Sequence, residues 1–139
     1  MTKMRIALPL FAPALLLVAG CADTPPTETQ LRAQARDAAQ LQETLAGFTP
    51  GKPVNCVENR DLTGPEAYGE TTLLFRTGRK LIWRTETSGS CDAIKRGDAL
   101  ITHQYTSRLC QGDIARTADL RAGFQTGSCV IGEFVPYRK

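Results

Sequence analysis

The chain has 139 residues, 42% of them hydrophobic, with Lys+Arg 17 against Asp+Glu 14. Its first 20 residues read as a leader, so the rest of the chain suffices for one small domain and excludes a multidomain enzyme. Lys3 and Arg5 fall in that leader, leaving fifteen basic against fourteen acidic residues, a balance that argues against a nucleic-acid binder.

Lys3 and Arg5 precede an apolar stretch of 13 residues, Ile6 to Val18, closed by Leu17-Val18-Ala19-Gly20-Cys21. A spanning helix needs about 20 apolar residues, and Pro9 and Pro13 would each remove a helical hydrogen bond. The segment 1–20 therefore predicts a cleaved secretory signal. Leu-Val-Ala-Gly-Cys resembles the bacterial lipobox, which implies a diacylated Cys21 sulfur, cleavage before it and acylation of the new amine. Each buried acyl CH₂ is worth about 0.8 kcal/mol, so two or three chains anchor stably. Sorting of such lipoproteins implies an outer-membrane site facing the periplasm, because Ala22 and not an Asp follows Cys21, although Asp23 lies close by.

Residues 21–26 are expected to form the lipidated cysteine and a short extended spacer. Thr27-Glu28-Thr29-Gln30 matches a capping box, and Leu31, Ala35, Ala38, Leu41 and Leu45 recur at helical spacing. This predicts an amphipathic helix over 28–46 within a segment 27–47, stopped by Gly47 and Pro50. The stripe is narrow and alanine-rich, suited to a helix lying on its own domain or to pairing with a second copy.

From Pro53 to the end, short β-prone runs alternate with turn residues. Strands are expected over Val54–Val57, Thr71–Arg76, Lys80–Thr85, Ala99–Thr106, Ile114–Ala118 and Ser128–Val135. The fold class is thus mainly β: a small antiparallel β-sandwich or barrel of about six strands over 53–139, stapled by disulfides and preceded by one helix. A Gly78-Arg79 turn would set Phe75 against Ile82 and Leu74 against Trp83. Gly97-Asp98-Ala99 and Gly112-Asp113-Ile114 repeat a turn-then-strand pattern, and two such carboxylates sharing a cation is the weaker alternative.

With Cys21 lipidated, Cys56, Cys91, Cys110 and Cys129 form an even set in an exported chain, which predicts two disulfides. Three connectivities are open. Local closure favours Cys56 with Cys91 and Cys110 with Cys129. A metal or redox site is disfavoured, since no Cys-x-x-Cys occurs and the chain has His 1.

Lys52-Pro53-Val54-Asn55-Cys56-Val57, Leu109-Cys110-Gln111-Gly112-Asp113-Ile114 and Gly127-Ser128-Cys129-Val130-Ile131-Gly132-Glu133-Phe134-Val135-Pro136-Tyr137 resemble the sequence blocks of small, functionally uncharacterised alphaproteobacterial envelope lipoproteins. The likeness covers about residues 50–138. It implies an envelope address and a cysteine-stapled domain, and no activity.

Any Ser-His-Asp arrangement would need His103, with Ser107 or Ser128 and Asp98 or Asp113. Strand alternation places His103 beside Ile101 and Tyr105 as a hydrogen-bonded, partly buried structural residue. Charge is split: residues 21–75 carry four Lys/Arg against eight Asp/Glu, and residues 76–139 carry eleven against six. Arg76, Arg79, Lys80, Arg84, Lys95, Arg96, Arg108, Arg116 and Arg121 could make a surface for anionic lipid headgroups, lipopolysaccharide phosphates or an acidic protein, with Arg76, Arg79, Lys80 and Arg84 the first candidates, unless the two halves balance in three dimensions. The expected function is a non-enzymatic envelope lipoprotein, a structural or binding module without metal, cofactor or nucleic acid. Its membrane contact runs through lipid on Cys21, and an envelope protein or anionic headgroup is its partner. The alternatives are an inhibitor of an envelope-directed hydrolase, of the lysozyme-inhibitor kind, and a small hydrolase using His103.

Overall fold

The computed structural model describes residues 25–139. The expected leader 1–20, the lipobox cysteine Cys21 and most of the spacer lie outside the described residues. The helix α1 (Glu28–Leu45) begins on the capping box, with Thr27 Oγ1 accepting from the Gln30 amide at 3.3 Å and Gln30 Oε1 accepting from the Thr27 amide at 2.8 Å. It ends where Gly47 takes a φ of +77°, a conformation that glycine adopts without a Cβ penalty.

Nine strands come after it: β1 (Thr49–Pro50), β2 (Cys56–Glu58), β3 (Thr63–Tyr68), β4 (Thr72–Thr77), β5 (Leu81–Ser90), β6 (Ala99–Thr102), β7 (Arg108–Cys110), β8 (Ile114–Asp119) and β9 (Phe124–Arg138). Six form a curled antiparallel sheet in the order β3-β4-β5-β9-β8-β6, β1 also pairs with β9, and β2 pairs with β7 apart from it. The mainly β, disulfide-stapled fold with one preceding helix is therefore the one expected. Short turns lie at Asn59–Asp61 and Asp92–Arg96.

The inward face of the sheet carries Leu73, Phe75, Ala115, Cys129, Ile131 and Phe134, closed over by Val57, Cys91 and Leu109. Phe75 and Phe134 meet with ring centroids 6.2 Å apart. Each fully buried side chain of this size contributes about 1.5–3 kcal/mol. The opposite face of β4 and β5 is buried too, with Leu74 at 0% and Ile82 at 1% exposure. On that side α1 lies against β3 through Thr44, whose Oγ1 is 2.9 Å from Tyr68 Oη, and its Asp37 carboxylate takes Lys95 Nζ of the Asp92–Arg96 turn at 2.6 Å. Leu41, Thr44 and Leu45 are half-buried, whereas Leu31 is exposed.

Several expectations are corrected. The β4–β5 hairpin pairs Phe75 with Trp83, Leu74 with Arg84 and Thr77 with Leu81, one residue away from the predicted register. Its loop holds three residues, Gly78 to Lys80, so Lys80 belongs to the turn. Because both faces of this hairpin are buried, hydrophobicity does not pin the register and loop length does. The disulfides join Cys56 to Cys110 and Cys91 to Cys129, against the expected pairing. Cys56 lies directly opposite Cys110 in the β2–β7 pair, and Cys91 comes just past the end of β5, where Gly89 pairs with Cys129. Strand neighbours, not sequence distance, choose the partners.

The strand predicted over Ala99–Thr106 stops at Thr102, and the chain pairs again only at β7. Strand β3 is an element that residue pattern does not announce. Gly64 and Pro65 argue against a central strand, and β3 tolerates them because it is an edge strand whose register shifts there.

Candidate functional site

The basic residues singled out from sequence do not form one free patch. Arg76 makes a two-point ion pair with Glu66 (2.8 and 3.3 Å), and Arg84 pairs with Glu86 at 2.8 Å. The Arg76 hydrogen bond holds the Glu66 carboxyl below its ordinary value against the upward push of burial, and the same bond raises Arg76. Burial pushes the Tyr68 hydroxyl up, opposed by its hydrogen bond to Thr44 and helped by Glu66. Arg84 loses solvation on burial, but hydrogen bonds to Glu86 and Tyr137 outweigh that and raise its pKa. Arg79 and Lys80 remain exposed at the hairpin loop. Ion pairs Asp37–Lys95 and Glu66–Arg76 join the acidic half of the chain to the basic half, as a balanced exterior requires.

His103 is exposed, contrary to the half-buried structural residue expected, because β6 ends at Thr102 and the chain leaves the sheet. It lines a shallow hollow of about 300 Å³ with Tyr105, Gly112, Asp113, Ile114 and Arg116. His103 and Asp113 thus share a surface, while neither Ser107 nor Ser128 lines it. Ser107 donates its hydroxyl to Glu58 at 3.4 Å instead.

The two Gly-Asp units do open strands, each on a left-handed glycine, Gly97 at φ +94° and Gly112 at φ +91°. Since β6 and β8 run antiparallel, with Ala99 opposite Ala118 and Thr102 opposite Ala115, Asp98 and Asp113 sit at opposite ends of the pair and cannot share a cation. Asp113 accepts from the Cys110 amide at 2.7 Å, and Asp98 accepts from the Thr126 hydroxyl. Among the described residues no group of three or more His, Cys, Asp or Glu could hold a metal ion.

One open apolar surface of the sheet is one that sequence patterning does not reveal. On β6, β8 and β9 the outward positions include Ile101, Ile114, Arg116 and Val130, with Ile101 opposite Arg116 and Ile114 opposite Val130. Ile101 is 40%, Ile114 56% and Val130 40% exposed, while the inward neighbours Ala115 and Thr117 are fully buried. The large side chains point out and the small ones in, because the inward positions meet a crowded core at Cys129 and Thr126. Hydropathy along Ile114-Ala115-Arg116-Thr117 carries no sign of this inversion; only the register does. This face, Ile101, Ile114 and Val130 around Arg116 and beside Tyr105 and His103, is suited to contact with another surface.

The Family of unknown function (DUF6491) matches residues 3–138 of the chain. The chain belongs to this family. No curated protein and no solved structure matches it. Membership of DUF6491 extends over the helix, both disulfides and the open face, and it brings no activity with it.

Proposed function

We propose that this DUF6491 member is a non-enzymatic cell-envelope lipoprotein, held by acyl chains on Cys21 at the outer membrane and facing the periplasm. Its disulfide-stapled β-domain acts as a structural or binding module, and the outward face of β6, β8 and β9 is the contact surface. The observation that carries this reading is the set of exposed β-branched side chains, Ile101, Ile114 and Val130, on adjacent strands of one sheet face. Two disulfides suit an oxidising compartment and supplement a small core. No helix among the described residues is long and apolar enough to cross a membrane, so a lipid on Cys21 would supply the attachment.

The test replaces Ile114 with Glu in the full chain and monitors co-purification with envelope complexes. Loss of the co-purifying proteins, with intact mass and both disulfides unchanged, is the expected result. Unaltered co-purification would remove this face from the function.

A further inference from the structure

We propose that the β8–β9 hairpin tip, Leu120 to Phe124, is a second membrane contact that seats this end of the domain in the headgroup layer of the bilayer carrying the anchor. The inference rests on the reading that Cys21 is lipidated. Leu120 is 74% and Phe124 58% exposed, with Arg121, Ala122 and Gly123 exposed between them. The tip is held in shape from within: Asp119 Oδ1 accepts from the Arg121 and Ala122 amides at 2.8 and 3.1 Å. Asp98, beside it, is turned onto the Thr126 hydroxyl. Both carboxylates are half-buried, whereas Arg96 and Arg121, which line the same hollow, are exposed. The tip therefore presents two apolar side chains with guanidinium groups beside them, the combination that suits a lipid interface.

Its place in the fold decides the occupant. Thr44 touches Tyr68, which lies level with Thr72 and Glu86, while Asp37 reaches Lys95, beyond the end of β5 at Ser90. Passing backward along α1 from Thr44 to Asp37 thus moves toward the Ser90 end of the sheet. The nine residues from Asp37 back to Glu28 carry the helix about 14 Å further that way. At that end Ser90 pairs with Ser128, β9 begins at Phe124 and β8 ends at Asp119. The helix N-terminus and the hairpin tip leave the domain at the same end. Six residues from Thr27 back to Cys21 span at most about 20 Å, so a lipid there keeps the tip near the bilayer.

The exposed basic pair Arg79 and Lys80 lies at the other end, where the Lys139 amide bonds the Lys80 carbonyl at 3.1 Å and Arg138 pairs with Thr49. Anionic headgroups on the anchoring membrane would then meet Arg96 and Arg121, and not Arg79 and Lys80.

The test uses the full lipidated chain, extracted from membranes and reconstituted into phosphatidylethanolamine–phosphatidylglycerol vesicles with brominated acyl chains. Leu120→Trp and Arg79→Trp are compared with the native chain, whose Trp83 gives the baseline. The added emission at position 120 should be quenched roughly twofold or more and blue-shifted, that at position 79 unchanged. Protein that stays on the vesicles with position 120 unquenched overturns the seated tip alone. Protein that does not stay on the vesicles overturns the anchor and the seated tip together.

Discussion

Removing the disulfides one at a time separates two sources of their stabilisation. Bridging residues 38 apart, as Cys91–Cys129 does, removes chain entropy from the unfolded state worth about 3.9 kcal/mol. The 54-residue separation of Cys56–Cys110 gives about 4.2 kcal/mol. Loop length alone therefore ranks the Cys56–Cys110 bridge as marginally the more valuable. Burial reverses the order. Cys91 is 1% and Cys129 3% exposed, and both belong to the core, whereas Cys56 and Cys110 are half-buried. Replacing two buried sulfurs by alanine hydrogens loses transfer free energy and leaves a small cavity, adding about 1.5 kcal/mol.

The Cys91→Ala/Cys129→Ala protein should then be destabilised by about 5 kcal/mol and the Cys56→Ala/Cys110→Ala protein by about 4 kcal/mol. At about 4 °C per kcal/mol, the melting points fall by about 20 °C and 16 °C. Urea titrations monitored by far-UV circular dichroism and extrapolated to water measure both. An equal or smaller loss for the Cys91/Cys129 pair would refute the argument from buried sulfur. Proteolytic mapping under non-reducing conditions that found Cys56 joined to Cys91 would refute the connectivity itself.

Two particular contacts yield further expectations. A Cβ on Gly132 would overlap the Glu86 carbonyl oxygen where β5 and β9 shift register, so Gly132→Ala should cost about 3 kcal/mol or more, read from the urea midpoint. The Glu66 carboxyl is held below its unfolded value chiefly by the Arg76 hydrogen bond, so its contribution is full above the unfolded carboxylate pKa and disappears as pH falls through the folded one. Melting points of the native and Glu66→Gln proteins should accordingly differ most near neutrality and converge in acid. A gap that widened below pH ~4 would contradict the assignment.

The sequence alone determined the features that depend on near neighbours. Thr27 and Gln30 cap α1 because a capping box is closed within one turn, and Gly47 stops it because the left-handed exit is a property of one residue. The turn glycines before Asp98 and Asp113 are local in the same sense, as is the strand-rich texture behind a mainly β, disulfide-stapled domain. What the tertiary structure decided is everything that depends on which strands become neighbours. The β4–β5 register was hidden because Leu74 and Ile82 are buried on one face and Phe75 on the other, so either slip satisfies hydrophobicity. The disulfide partners came from strand pairing, which brings residues 54 and 38 apart into contact while leaving those 19 apart in different sheets. The outward turn of Ile101, Ile114 and Val130, and the shared end of the helix start and the Leu120–Phe124 tip, exist only once β6, β8 and β9 are assembled. Long-range pairing selects among locally equivalent arrangements, and that selection is where this domain acquires its candidate surfaces.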